Sequence, residues 1–256
     1  MKASIVKRGV TWGWVISGLV LLTLVGSAIF ALVGFLTTPA VASQRPVRSD
    51  YLLRFGQCVL GIIVLFLPFL IQRRLRVAIP GRLYVVYLLF LYAALYLGEV
   101  QRFYERVPGW DKILHGLSGL ALGALGFSLV SLLNSAARAQ IRLSPLFVAV
   151  FAFSFALALG VVWEIYEFSM DSFFGFNMQR ARGLDGAPLV GEAALRDTMT
   201  DLLLDTGGAL VMSVIGYVSL RRGSTWLEKI ALRRVGEAVA TRRGRRPGPR
   251  RRRGRV

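Results

Sequence analysis

The chain has 256 residues, of which 55% are hydrophobic and 18% are charged, and its formal net charge is +18. The apolar residues form long unbroken runs rather than one face of amphipathic elements, which is typical of a membrane protein and argues against a soluble globular domain. Because these runs lack the strict alternation of barrel strands, we predict an all-α, polytopic transmembrane bundle of about six helices in the lipid bilayer.

The first apolar run covers residues 11–36 behind a basic N-terminus, and it ends near residues 40–42, an Ala-Val-Ala sequence similar to a signal-peptidase site. A secretory apolar core is only about 7 to 15 residues long, so we predict an uncleaved signal anchor. Cleavage stays open as an alternative. We assign residues 1–50 to this N-terminal anchor helix and an outer loop.

Five further apolar runs form the predicted membrane core, residues 51–220. Each is close to the length of about twenty residues that a helix needs to cross a bilayer. Glycines recur along the fourth and sixth spans, which predicts that these helices pack closely. The predicted spans are 51–71, 83–100, 111–133, 145–168 and 198–220.

The basic residues predict the orientation of the bundle. Lys and Arg number 23 in the segments 1–10, 72–82, 134–144 and 221–256, against 9 in the other three connections. The last segment supplies 14 of the 23, and without it the two sides are level. By the positive-inside rule we predict that both termini are cytoplasmic.

Residues 221–256 form a basic tail with 14 basic and 2 acidic residues. We predict that this cytoplasmic tail is largely disordered and that it binds anionic lipid. The stretch around Trp226 and Leu227 has the composition of an amphipathic helix in the membrane interface. A nucleic-acid partner is not expected, because no aromatic residues alternate with the basic ones and no known binding motif is present.

Acidic residues follow one face of each of the last three predicted helices, near the outer membrane surface. Their spacings of three and four residues place them on the same side of a helix. The groups are Asp111 with His115, Glu164 with Glu167 and Asp171, and Asp197 with Asp201 and Asp205.

Two readings compete for these residues. Asp111 and Asp197 stand at predicted helix N-termini, where capping explains a carboxylate. Carboxylates deeper in the membrane cost several kcal/mol unless they are paired, which favours a functional site for Glu164, Glu167, Asp201 and Asp205.

His115, the only histidine in the chain, is either a satisfied buried residue or a ligand or base. Just before it, Glu99, Tyr104 and Glu105 are a weaker addition. The alternative for these three residues is a solvated interface in which Arg102, Arg106 and Lys112 simply pair with the acids.

From this pattern we predict a site, open to the outer leaflet, for one or two hard divalent cations. Oxygen-rich ligation suits Mg²⁺, Mn²⁺ or Ca²⁺, and Zn²⁺ held by one histidine and carboxylates stays open. In an enzyme the site would serve a metal-assisted hydrolase or transferase that acts on an envelope lipid or lipid-linked substrate, with His115, Glu164 and Glu167 as catalytic residues. The predicted metal ligands are Asp111, His115, Glu164, Glu167, Asp197 and Asp201.

Two other functions remain as alternatives. An ion- or proton-coupled transporter would use the buried acids as a relay, but the inner halves of the last three spans contain no ionisable residue. A non-catalytic membrane scaffold or sensor would use the loop 172–196 as its contact surface.

Four motifs in one order carry a resemblance to a known family. They are W-D-K-I-L-H at 110–115, W-E-I-Y-E-F at 163–168, F-N-M-Q at 176–179 and D-T-M-T-D-L at 197–202. Together they resemble the YjdF-like family of bacterial inner-membrane proteins, and the D-K-x-x-H element also resembles the VanZ-like proteins, which are associated with glycopeptide-antibiotic resistance. The resemblance implies a helical fold in the bacterial inner membrane and functional importance for the motif positions, and it supplies no reaction.

Overall fold

The computed structural model of the protein describes residues 10–39, 48–136, 143–183, 186–224, 226–227 and 232–234. Within these ranges six helices are long and apolar enough to cross a membrane, which confirms the predicted all-α polytopic fold. In chain order the elements are α1 (Val10–Thr37), α2 (Arg48–Leu75), β1 (Val77–Ala78), α3 (Gly81–Leu91) with a π-helical continuation (Tyr92–Val100), α4 (Phe103–Arg106), α5 (Trp110–Ala136), α6 (Pro145–Phe174), α7 (Glu192–Arg221) and β2 (Arg233–Arg234).

Several helices extend beyond the apolar runs that predicted them. α6 ends at Phe174 rather than at 168, and α7 begins at Glu192 rather than at 198. Hydropathy detects the part of a helix that lies in lipid, whereas backbone hydrogen bonding continues until the chain must turn. Gly175, with φ of 67°, ends α6, and Gly191, with φ of 62°, precedes α7.

The start of α6 follows the expected pattern for a helix N-terminus. The Ser144 hydroxyl accepts a hydrogen bond from the Phe147 amide at 3.2 Å, and Pro145 occupies the first helical position. Proline is suited to this position because the first amides of a helix have no partner within it. This confirms the placement of Pro145 in the first turn of the fifth span.

The described helices pack as two groups of three. α1, α2 and α3 share one apolar core, which includes Leu24, Leu65 and Leu88. α5, α6 and α7 pack together in the second group, where Phe127 and Ala152 belong to a separate core. The polar residues of interest lie mainly in the second group.

The C-terminal segment contacts the membrane end opposite the acidic residues. β2 pairs antiparallel with β1, and the Leu232 amide donates to the Ser128 hydroxyl at 2.6 Å. Trp226 and Leu227, which we expected in an interfacial helix, pack against the core that contains Phe127. Of the tail predicted to be largely disordered, residues 221–256, the structure describes only 221–224, 226–227 and 232–234, and the rest lies outside the described residues.

Candidate functional site

The beginning of α5, the end of α6 and the beginning of α7 lie at the same end of the bundle. This arrangement follows from the alternating direction of consecutive membrane helices. It brings together a group of charged side chains that we call the polar cluster. Its members are Asp111, Lys112, His115, Glu164, Glu167, Asp197, Asp201 and Asp205.

Glycines allow the three helices to approach closely enough to form the cluster. A Cβ on Gly208 of α7 would lie 2.9 Å from the Leu120 amide nitrogen of α5. A Cβ on Gly160 of α6 would lie 2.7 Å from Asp205 Oδ2. Because side chains larger than hydrogen do not fit there, the small residues set the separation of the helices. The sequence therefore specifies the close packing that the glycine pattern predicted.

His115 is held by a carboxylate on the neighbouring helix. Its Nδ1 lies 3.2 Å from Asp205 Oδ2, and Ser118 donates to Asp205 Oδ1 at 2.7 Å. Since a carboxylate accepts hydrogen bonds, Nδ1 carries a proton in this contact. Nε2 faces Asp111, whose Oδ1 is 3.8 Å away. This is the arrangement by which proteins orient a metal-binding or basic histidine.

Lys112 is the central cation of the cluster. Its ammonium donates to Asp197 Oδ1 at 2.7 Å and to both oxygens of Asp201 at 2.8 Å. It also lies 3.5 Å from Asp111 Oδ2. The alternative that Lys112 pairs with Glu99 and Glu105 at a solvated interface is not what the structure shows, since its ion pairs among the described residues are with Asp111, Asp197 and Asp201. The residue lies on the buried side of α5, where the acidic stripe of α7 surrounds it.

Three residues offer ligand atoms for a single cation. One atom each from Asp111, His115 and Asp201 lie within 4.8 Å of one another. Two carboxylates and one imidazole are ligands that suit Mn²⁺ or Zn²⁺. They also suit Mg²⁺ if water molecules complete its coordination. His115 and Asp201 are buried, and the Asp111 side chain is only 14% exposed.

Glu164 projects from α6 toward the same place. Only 5% of the residue is exposed, and both of its oxygens are buried without a hydrogen bond among the described residues, although the Thr198 hydroxyl lies beside the carboxyl. It lies within short electrostatic range of His115 and Asp201. A buried carboxyl group without a cationic partner is costly, because the neutral Thr198 hydroxyl offsets the loss of its hydration only in part.

Glu167 is also buried, one turn further along α6. Its Oε1 accepts a hydrogen bond from the Trp163 indole at 2.9 Å. The negative charges of Glu164 and Asp111 act on it. Glu167 thus belongs to the cluster and has one fixed neutral partner.

The loop after α6 is attached to the cluster by the F-N-M-Q motif. Asp171 accepts the Met178 amide at 2.7 Å and the Gln179 amide at 3.0 Å, so it closes this loop and does not face the other acids. The Gln179 side chain donates to Thr198 at 2.9 Å. Arg180 lies 3.6 Å from Asp111 Oδ2. The motif therefore has a structural explanation, because its amides bind Asp171 and its Gln179 side chain contacts Thr198 on α7.

Glu99 and Tyr104 lie beside the cluster rather than within it. Arg180 donates to the Tyr104 carbonyl at 3.0 Å, which places this residue next to Asp111. Burial raises the pKa of the Tyr104 hydroxyl well above its ordinary value, and the charges of Glu99, Asp111 and Glu167 add to this effect. The hydroxyl stays protonated and can donate a hydrogen bond near the site.

The structure changes the interpretation of some residues and adds others. Asp197 does not cap a helix, because α7 begins five residues earlier at Glu192. Asp111 lies in the first turn of α5, where its charge suits the helix dipole, but it is also within reach of three cationic groups. The sequence prediction placed Asp205 among the buried acids but not among the metal ligands, and it missed Ser118 and Arg180 as partners of the site. The four-residue spacing from Asp201 indicated Asp205, whereas no sequence signal indicated the other two.

Comparisons with known proteins give a family and one distant relative. Residues 18–222 match a family model described as "Predicted membrane protein (DUF2238)". An uncharacterised protein of Thermotoga maritima is 28% identical over 153 residues, which are 59% of this chain and 70% of that protein. No solved structure matches the chain.

Proposed function

The chain belongs to the DUF2238 family of predicted membrane proteins, and we propose that its polar cluster binds a divalent cation. With this cation, the cluster catalyses a metal-assisted hydrolysis or transfer on an envelope lipid or lipid-linked substrate. The protein is a multi-pass membrane protein, and its bilayer surrounds the site. We place it in the bacterial inner membrane with both termini cytoplasmic, as the basic residues favour. The cluster then faces the outer leaflet.

The buried carboxyl group of Glu164, which forms no ion pair among the described residues, carries this proposal. Its oxygens are shielded from water, the neutral Thr198 hydroxyl is its hydrogen-bonding neighbour, and it interacts electrostatically with His115 and Asp201. A cation held by Asp111, His115 and Asp201 would supply the missing partner. A structural ion-pair network would instead leave each carboxylate satisfied.

The charge balance of the cluster supports the same conclusion. Among the described residues, the six carboxyl groups of the cluster face Lys112, His115 and the neighbouring Arg180. Excess negative charge in a membrane must be neutralised by protons or by a bound cation. A divalent ion neutralises two charges at once, and Lys112 then serves to hold Asp197 and Asp201 in place.

Each residue of the cluster has a distinct part in the proposed reaction. His115, oriented by Asp205, provides Nε2 as a ligand. A divalent ion held there would polarise a phosphoryl oxygen of the substrate, and Glu164 would take a proton from the attacking water or alcohol. A new oxygen to phosphorus bond would form as the bond to the leaving oxygen breaks, and the leaving oxygen would receive the proton from Glu164. Glu167, held by Trp163, keeps Glu164 in position.

Transport ranks below catalysis for this protein. Beyond Asp205 on α7, the sequence has no acidic or basic residue until Arg221, and α5 and α6 have none in their corresponding halves. A conducted cation needs polar groups at every depth. We also propose that the chain is of the YjdF-like type, since four of its motifs carry that resemblance, whereas the VanZ-like resemblance depends on one element.

The proposal is tested by the metal content of the detergent-purified protein, measured by inductively coupled plasma mass spectrometry. We expect one divalent ion per chain in the parent and a loss of at least most of it in His115→Ala and Glu164→Gln. Glu192→Gln is the matched control, because the Glu192 side chain is 87% exposed on the same end of α7. Folded variants that all retain the parent's metal content, or a parent without metal after supplementation, would contradict the proposal.

Turnover is tested separately on a panel of lipid phosphates and lipid-linked pyrophosphates. The parent should release product only with a divalent ion present. Glu164→Gln should lose turnover, while Glu192→Gln should keep it. Metal binding without turnover of any phosphorylated lipid would support the metal site but refute the proposal that the protein is an enzyme.

A further inference from the structure

Arg180 is a cation at the edge of the polar cluster, in the loop between α6 and α7. Its Nη2 donates to the Tyr104 carbonyl at 3.0 Å and lies 3.6 Å from Asp111 Oδ2. Its Nε and Nη1 form no hydrogen bond among the described residues, and its side chain is 39% exposed. A guanidinium carries several N–H donors in a planar fork. Arg180 therefore has accessible donors for an anion that arrives from solvent.

The other cations of the cluster have no such donors. The Lys112 ammonium directs its N–H groups to Asp197 Oδ1 and to both oxygens of Asp201, at 2.7 to 2.8 Å. His115 is buried, and both of its ring nitrogens face carboxylates. Of the cations that contact the cluster in the described part of the chain, Arg180 is thus the one that can donate hydrogen bonds to a ligand.

The loop fixes the backbone on both sides of Arg180. Asp171 accepts hydrogen bonds from the amides of the two residues before it, at 2.7 and 3.0 Å. On the other side, the Arg182 amide donates to Asn177 Oδ1 at 2.9 Å, and the Arg182 carbonyl accepts from Asn177 Nδ2 at 3.0 Å. Between these contacts Arg180 adopts the left-handed conformation, with φ of 49°. A residue other than glycine keeps this conformation when its surroundings impose it, and such residues are concentrated at functional sites.

Arg180 and the proposed cation site lie at different oxygens of the same carboxylate. Asp111 Oδ1 is 3.8 Å from His115 Nε2, on the side of the three possible metal ligands, whereas Oδ2 faces Arg180. A phosphate group has several oxygens, so one of them can bind the ion while another accepts a hydrogen bond from the guanidinium. The position of Arg180 therefore suits a substrate whose phosphate reacts at the proposed metal site.

We propose that Arg180 determines the specificity of the site by binding the phosphate group of a lipid substrate. Its unused N–H groups donate to phosphate oxygens, while Nη2 keeps its bond to the Tyr104 carbonyl. The acids of the cluster repel an approaching phosphate, and the accessible guanidinium offsets this repulsion. Arginine suits this task because its planar fork matches the geometry of phosphate oxygens. This inference rests on the proposed function, because it identifies the residue that recognises the substrate of the same site.

Native mass spectrometry of the whole chain in detergent, titrated with dioctanoyl phosphatidic acid, tests this assignment. Dioctanoylglycerol is the matched lipid without a phosphate. We expect the parent to bind phosphatidic acid in preference to dioctanoylglycerol. Arg180→Gln should bind phosphatidic acid about 10- to 100-fold more weakly, as expected when hydrogen bonds to a charged group are lost. Arg180→Lys should fall between the two, because an ammonium keeps the charge but lacks the planar fork. Arg196→Gln, with its side chain 73% exposed on α7, should match the parent.

Two results would overturn the role of Arg180. One is a parent that binds the two lipids equally, and the other is a folded Arg180→Gln that binds phosphatidic acid as tightly as the parent. If Arg180→Gln does not fold, Arg180→Lys decides, and an affinity equal to the parent's would overturn the assignment. Competition with inorganic phosphate distinguishes the source of the ligand. Displacement of phosphatidic acid by an equal concentration of inorganic phosphate would overturn the assignment to a lipid.

Metal content, measured on the same samples, separates this inference from the proposed function. Arg180→Gln should retain the divalent ion of the parent, whereas His115→Ala should lose most of it. A parent that binds metal, together with unchanged phosphatidic acid affinity in Arg180→Gln, would refute the role of Arg180 alone. A parent without metal that still binds phosphatidic acid through Arg180 would refute the metal site and support the phosphate contact.

Discussion

The close approach of α5 and α7 can be tested at two adjacent glycines. A Cβ on Gly208 would lie 2.9 Å from the Leu120 nitrogen and 3.3 Å from the Gly116 carbonyl carbon. Comfortable contacts of this kind are about 3.5 to 4.0 Å, so the two helices must separate by roughly 0.5 to 1 Å. Overpacking of this extent costs about 1 to 3 kcal/mol. A Cβ on Gly207 meets nothing within 4 Å, and alanine there gains up to about 1 kcal/mol of helix propensity.

We therefore expect Gly208→Ala to unfold at a lower temperature than the parent and Gly207→Ala to match or exceed it. The assay is thermal unfolding in detergent, followed by intrinsic fluorescence. The two variants should differ by about 2 to 4 kcal/mol, and each kcal/mol corresponds to about 2 to 4 °C. Gly208→Ala should also disturb His115, because its nearest neighbour on α5 is the residue after this histidine. Equal melting temperatures for the two variants would refute the packing argument.

Three further substitutions test individual contacts. Asp205→Asn should shift the ¹⁵N NMR signals of His115 and lower metal affinity by about 10- to 100-fold, because the imidazole ring loses the carboxylate that orients it. Unchanged signals would show that the 3.2 Å contact between His115 Nδ1 and Asp205 Oδ2 does not orient the ring. Lys112→Met should destabilise the protein by about 3 to 5 kcal/mol in metal-free buffer, because Asp197 and Asp201 lose their cation. Added Mn²⁺ should restore part of the lost stability, as measured by thermal unfolding. A variant as stable as the parent would contradict this prediction. Asp171→Ala removes the carboxylate that accepts hydrogen bonds from two loop amides, so it should speed proteolysis between α6 and α7 without changing metal content. Loss of metal in this variant would instead show that Asp171 belongs to the metal site.

The sequence was sufficient to predict the fold, because each helix that crosses the bilayer needs a long apolar run. Its limits appear at the ends of helices. α7 begins at Glu192, in sequence too polar to be recognised as membrane-spanning, and this shift removes the capping role from Asp197. The helical continuation depends on Gly191 and the turn before it, which hydropathy does not detect.

For the site, the helical spacing of acids indicated which side chains share a face, and the structure brings those faces together. The spacing did not reveal which group pairs with which. Lys112 follows Asp111 directly, yet its partners lie 85 and 89 residues away on α7. Arg180 reaches Asp111 from a loop whose course depends on Asp171. Such contacts depend on tertiary geometry and leave no periodic signal in a single sequence.

The most direct test of the proposed metal site uses the fact that His115 is the only histidine in the chain. Tag-free protein labelled with [¹⁵N]histidine and loaded with Mn²⁺ is measured by pulsed electron paramagnetic resonance. The account predicts a ¹⁵N coupling to the bound ion that disappears in His115→Gln, since no other histidine can supply it. Bound Mn²⁺ without this coupling, or no stoichiometric binding at all, would contradict a metal centre that includes His115.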